Sequence, residues 1–297
     1  MTTRREQAAL LLALRTSGRA WTEVSGQIED AASALAVLDA LLTPDQPTLD
    51  HADVDHSAEL DEVEREIEAW AAEGIRLVTL LDDDYPVRLL MVHQRPPFLT
   101  VRGALSPADE RAVAVVGSRN PSSRGLHVAR EVATTLAGHG VTVLSGLAAG
   151  VDAAAHRAAL DAGGRTVAVV GTGLRHCYPA TNRDLQAEIG LRGAVVSQFW
   201  PDARPAKHHF PMRNAVMSGC GVATVVVEAG EHSGTRIQAR VALEQGRHVF
   251  LLPEVVEGTK WGKETSRRPN TTVLEGPDHL LKVLDELTAE LPELIDF

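Results

Sequence analysis

Acidic, imidazole, guanidinium and hydroxyl groups cluster at the ends of apolar runs in the middle of this 297-residue chain. Asp152 and His156 stand four residues apart, one helical turn, and Glu228 ends an apolar run, so the three could serve as acid and base. A structural reading competes, in which Asp152 caps its helix and His156 is a satisfied polar group facing the loops. His208 and His209 offer imidazole to a metal, but adjacent residues point apart and no second pair has ligand spacing. No metal site is expected.

Phosphate chemistry has the broader footing. Five loops carry the groups for it. The first holds Gly117, Ser118, Arg119 and Ser122, and the second Ser145, Gly146 and Gly150. The third holds Gly171, Thr172 and Gly173, ahead of Tyr178, Pro179 and Asn182. The fourth, after Trp200, holds Phe210, Arg213 and Asn214, and the fifth, after Glu228, holds Ser233, Gly234 and Thr235. Glycine lets backbone approach a ligand, successive N–H groups at a helix start cradle an anion, and hydroxyls add donors. Each glycine also has a plain reading as turn punctuation.

These loops need elements to hold them on one side. Apolar runs recur at 112–116, 141–144, 166–170, 194–197, 222–227 and 248–252. Helical stretches lie between most of them, at 124–137, 152–162, 181–191, 211–219 and 235–245. Strands alternating with helices at these lengths predict an α/β fold with a doubly wound, mostly parallel sheet. Right-handed crossovers then put the loops on one rim, where open α/β sheets bind ligands. Upstream, short helices are expected at Ala8–Leu14 and Ile28–Leu42, with Gly18 and Gly26 between them, forming a small N-terminal helical domain. Thr43–Ser57 reads as a linker, Leu60–Glu73 as a helix, and Ile75–Leu81 and Phe98–Val101 as strands.

Composition narrows the classes. The formal charge is −11, but residues 1–108 carry −10, residues 109–253 carry +4 and residues 254–297 carry −5. An anion is therefore drawn to the strand–loop–helix segment, if that balance is more than scatter of surface charge. The sequence has no apolar run of about 18 residues and no secretory cleavage pattern, so no membrane partner is expected. Two cysteines without ligand spacing read as small buried residues, and the protein is expected in the cytoplasm. After the first strand stands GSRNPSSRG rather than G-x-G-x-x-G, and no G-x-x-x-x-G-K-[ST] occurs. A conventional dehydrogenase or a triphosphate-driven motor does not fit.

In order and spacing, VAVVGSR-x-P-S, VTVLSGLAAGVDAAAHRAAL, GTGL…YPATN, HFPMRN and VVVEAGEHSGTRIQARVALEQGRHVF resemble the DNA-processing protein A family, also called Smf. The resemblance covers roughly residues 74–253, including the lead-in GIRLVTLLDDDYPVRLL. It implies an extended Rossmann-like fold that binds single-stranded DNA without strong sequence preference, dimerises, protects strands in natural transformation and helps load a RecA-type recombinase. No catalytic reaction and no cofactor are implied. The implied DNA pocket falls on Gly117, Ser118, Arg119, Ser145, Gly146, Gly150, Gly171, Gly173, Phe210, Arg213 and Asn214. There Arg119 and Arg213 would meet phosphates, and Phe210 would stack on or wedge a base. The chain departs from the family at Ala215, where a second basic residue is usual, and at Ser233–Ala239, where the usual S-G-[AS]-L-x-T-A reads SGTRIQA. GTKWGKETSRRPNTTVLEG replaces the usual A-G-T-N segment. No C-terminal winged-helix domain is expected before Phe297.

On this reading the chain divides into an N-terminal helical module and linker (1–57), the Rossmann-like domain (58–257) and an extension ending in a helix (258–297). Two functions remain open. One is a single-strand DNA-binding protein. The other is a sensor or enzyme for a nucleotide-like molecule in the same pocket, with Glu228, Asp152 and His156 in ribose or acid–base roles.

Overall fold

A computed structural model describes residues 2–42, 56–93 and 95–289. Four helices come first: α1 (Arg4–Thr16), α2 (Trp21–Ala31), α3 (Ala34–Leu42) and α4 (Ser57–Ala72). Gly26 lies inside α2 instead of ending a helix, because burying Val24 and Ile28 outweighs the roughly 1 kcal/mol that glycine costs a helix. The expected helix over Ile28–Leu42 breaks instead at Ala32, whose left-handed φ of 51° caps α2. Most of the expected linker, 43–55, falls outside the described residues.

An antiparallel pair follows, β1 (Arg76–Thr79) and β2 (Phe98–Gly103), with the short α5 (Val87–Leu90) between them. Then the alternation begins: β3 (Ala112–Val116), α6 (Ser123–Gly138), β4 (Thr142–Ser145), α7 (Val151–Asp161) and β5 (Thr166–Val169). It continues through α8 (Arg183–Arg192), β6 (Ala194–Ser197), α9 (His209–Cys220), β7 (Ala223–Val226), α10 (Gly234–Glu244) and β8 (His248–Leu251). Short helices α11 (Pro253–Gly258) and α12 (Lys260–Thr265) lead to β9 (Thr271–Val273) and α13 (Pro277–Ala289).

Among the described residues the nine strands form one sheet in the order β1-β2-β6-β5-β4-β3-β7-β8-β9. From β6 to β9 every pairing is parallel, and β2 joins β6 antiparallel. The pleat sends alternate residues to opposite faces. Val113 and Val115 of β3 pack with Ala129, Val132 and Leu136 of α6, Ala155 of α7 and Leu280 of α13. Ala112, Ala114 and Val116 face the other way, into a cluster with Ile189 of α8, Val216 and Met217 of α9, and Ala239 of α10. That cluster continues into Leu10 and Leu11 of α1, Ile28 of α2 and Trp70 of α4. The sheet is doubly wound, and the N-terminal helices share one of its two cores.

An aromatic seam fastens those helices. Trp200, beyond β6, lies with its ring centroid 4.9 Å from Phe98 of β2, 6.0 Å from Trp21 of α2 and 6.2 Å from Trp70 of α4. Rings packed at these separations add to the area they bury.

Candidate nucleic-acid interface

The chain steps from β3 through β4 and β5 to β6 on one side, then returns to β7 on the other side of β3. Loops after β3 and β7 therefore diverge, and the sheet's topological switch point lies between them. A cleft of about 410 Å³ opens there. Gly117 and Arg119 supply one wall, Phe210, Arg213 and Asn214 of α9 another, and Ser233, Gly234 and Thr235 a third. An adjoining recess of about 100 Å³ shares Arg119, Phe210 and Arg213 and reaches Gly146, Gly171 and Thr172. The larger volume falls in the range of pockets that hold small ligands.

The other expected residues hold the rim together and do not line it. Ser145 is fully buried, and its Oγ donates to the Val115 carbonyl at 2.6 Å, stitching β4 to β3. Gly150 has φ +82°, and a Cβ there would collide with the Ser118 carbonyl, which accepts the Val151 N–H at 3.1 Å. Gly173 is wedged against the Trp200 and Pro201 carbonyls, and Ser118 Oγ accepts from Asn120 N at 3.1 Å. Ser122 caps α6, its Oγ accepting from Gly125 N at 3.0 Å.

Two carboxylates already accept from backbone amides of this rim. Glu228, at the end of β7, accepts from Ser122 N at 3.0 Å and from Ser122 Oγ at 2.5 Å. It sits at the positive end of α6, where Gly125 leaves it room, since a Cβ would overlap the carboxylate. In the second loop Asp152 accepts from Gly146 N at 3.2 Å and Ala148 N at 3.3 Å. Asp152 thus caps the preceding loop, and Gly150 holds the N-cap position of α7. Burial pushes the Asp152 carboxyl up, against the pull of the Arg213 guanidinium and the two amides.

Arg213 is 6 % exposed and reaches under the second loop, its Nη1 donating to the Val169 carbonyl at 2.9 Å. Gly146 makes space for it, because a Cβ there would overlap the guanidinium. Its Nε has no partner. Burial lowers its pKa, with Asp152 opposing. Arg119 is exposed, its guanidinium 5.4 Å from the centre of the Phe210 ring. That ring lies 5.8 Å from Tyr178 at 48°. A cation on one aromatic face and a second ring beside it form a stacking platform.

His156 stands apart from this cleft. It is fully buried, and its Nδ1 lies 2.7 Å from Thr166 Oγ1. That hydroxyl donates its own proton to the Val143 carbonyl, so the imidazole donates to the hydroxyl. Burial pushes the His156 pKa down to about 3. His208 and His209, expected to point apart, lie edge to face at 4.5 Å at the start of α9, with His208 exposed and His209 stacked on Phe199 at 4.0 Å. Among the described residues no group of His, Cys, Asp and Glu is placed to hold a metal.

Sequence reasoning noted Tyr178 beyond the third loop without assigning it to the pocket, and likewise did not assign Pro211, Ile237 and Gln238, which line the cleft or its recess. Tyr178 carried a signal, an aromatic beside proline in a glycine loop. Gln238 carried one only as a departure from the family motif.

A family model described as DNA recombination-mediator protein A matches residues 76–288. The chain is 35 % identical to DNA processing protein DprA of Bacillus subtilis over 190 residues, 64 % of each protein. It is 40 % identical to the DprA of Streptococcus pneumoniae over 185 residues, 62 % of this chain and 65 % of the relative. It is 43 % identical to protein Smf of Escherichia coli over 183 residues, 60 % of this chain and 49 % of the relative. The chain thus spans less than two thirds of the length of these curated relatives. The X-ray structure of the Streptococcus pneumoniae protein superposes with a TM-score of 0.73 at 30 % identity, covering 95 % of this chain and 98 % of that one. DNA processing protein A of Helicobacter pylori, whose structure concerns its single-stranded DNA binding mode, shares the fold at a TM-score of 0.63 and 24 % identity, over 71 % of this chain and 96 % of that one.

Proposed function

The chain belongs to the DNA recombination-mediator protein A family, and from that premise we propose that it binds single-stranded DNA in the switch-point cleft, in the service of DNA uptake or recombination. The observation that carries the reading is the pair of internal carboxylates. Glu228 takes the amide and hydroxyl of Ser122 at the start of α6, and Asp152 takes the Gly146 and Ala148 amides, donors with which a nucleotide-binding domain would seat phosphates. The cationic and aromatic groups left open, Arg119, Phe210 and Tyr178, suit a strand whose phosphates run along the rim while its bases stack. The same carboxylates count against a nucleotide sensor or enzyme, because Glu228, Asp152 and His156 are each engaged in structural hydrogen bonds.

We propose binding without catalysis, a homodimer, and a RecA-type recombinase as the protein partner, all in the cytoplasm. Family membership supports the first three. Two free, half-buried cysteines and the lack of any described helix long and apolar enough to cross a membrane are consistent with the fourth. The 1–57 module, with its acidic balance, fits protein docking better than strand contact. A thermal-shift comparison tests the ligand class. Oligo-dT should raise the Tm in a concentration-dependent way, whereas mono- and dinucleotides should leave it in place. Stabilisation by nucleotides and not by the oligomer would reverse the assignment.

A further inference from the structure

The cleft contains a polar group that the fold leaves unsatisfied. Gln238, on the second turn of α10, is 1 % exposed and lines the cleft beside Asn214 and Met217. Neither its Nε2 nor its Oε1 has a hydrogen-bond partner. A buried amide with both ends unpaired is costly and uncommon, since most buried polar side-chain atoms are paired. The family motif has a smaller threonine at this place, so the longer amide belongs to this chain and not to the fold.

We propose that one base of the bound strand enters the cleft and that the Gln238 amide reads its edge, making this chain selective for adenine at that nucleotide. A glutamine amide presents a donor and an acceptor side by side, and adenine presents the matching N7 acceptor and N6 donor. The cleft wall is mixed: Met217 and Ile237 supply apolar surface for a ring, Asn214 and Arg213 line it with polar groups, and Arg119 over the Phe210 ring stands where the strand passes. The amide swings from its buried position into the cleft when the base arrives and exchanges two unmade hydrogen bonds for two made ones. This inference rests on the strand-binding reading above.

The test uses the full chain and three labelled oligonucleotides of one length: oligo-dA, the same with purine in place of adenine (no N6 donor), and the same with 7-deazaadenine (no N7 acceptor). The intact protein should prefer oligo-dA over each analogue by about tenfold, as a bidentate base contact does. In Gln238→Leu and Gln238→Met that ratio should fall to near one. Because the ratio is taken within each protein, a general weakening does not imitate the result. Both variants should also melt at a higher temperature than the intact protein without DNA, since they replace an unpaired buried amide by an apolar group. A lower melting temperature would show that the amide has a structural partner and would overturn the proposal. So would equal affinities of the intact protein for the three oligonucleotides, or a preference that survives in both variants. Absence of binding to every oligonucleotide would remove the strand-binding reading itself, whereas binding without discrimination would remove only the role of Gln238.

Discussion

Single residues of this rim divide into those that face the cleft and those that hold its edges. Arg213 and Arg119 show the contrast: one is buried under Gly146 and tied to a main-chain carbonyl, the other exposed over an aromatic face. His156 belongs with the residues that hold the edges. The unfolded chain takes up its proton near pH 6.5, while the folded chain does so only near 3. Its contribution to stability is therefore whole above pH 6.5 and is lost as the pH falls through the window between those values, by about 1.4 kcal/mol per unit. Denaturant melts at pH 7 and pH 5 should show the loss between them shrink by about 2 kcal/mol in His156→Gln. An unchanged loss would mean that the imidazole is not held neutral. At this scale the sequence was only partly legible. Glycine looks the same whether it opens a cleft, as at Gly146, or relieves a carbonyl clash, as at Gly173. Only the packed neighbours distinguish the two, which is why Ser145, Gly150 and Gly173 read as ligand contacts. Asp152 and His156 did share a helix face, but burial and neighbouring amides gave them structural work.

Among the elements, α6 carries the sharpest consequence. Its N-terminus is the usual phosphate seat of a doubly wound domain, and the Glu228 carboxylate fills it from the neighbouring strand. Glu228→Ala should cost about 1–2 kcal/mol in chemical denaturation, since a carboxylate at a helix start and its hydrogen bonds are lost together. It should also make the variant's Tm rise with millimolar inorganic phosphate, an effect missing from the intact protein. A variant indifferent to phosphate would show that the seat is not an anion site. Element types were legible where apolar periodicity was strong: the runs at 112–116 and 194–197 became β3 and β6 with the same bounds. Elements with little apolar signal were not. β9 reads TTV and is recruited by pairing with β8, and the two short helices before it bury only a few side chains.

The whole molecule sorts its charge. Around the N-terminal helices several arginines are paired, Arg5 with Asp61, Arg15 with Glu66, Arg19 with Glu23 and Arg95 with Glu29. On the rim, Arg119, Arg204, Lys207 and Arg236 are exposed and, among the described residues, make no ion pair. A chain of net charge −11 thus presents unpaired cations on the side where its loops converge, while its acidic helices discourage DNA elsewhere. The charge distribution along the sequence made this legible, but which cations are unpaired depends on the fold. The most direct measurement is fluorescence anisotropy of labelled oligo-dT against the intact protein and Arg119→Ala over a range of salt concentrations. Four rim cations meeting phosphates predict a slope of log affinity against log salt of about −3, with Arg119→Ala shallower by about 0.7 and weaker by about tenfold at low salt. Affinity that ignores salt, or a variant that binds as the intact protein does, would contradict a DNA site on this rim.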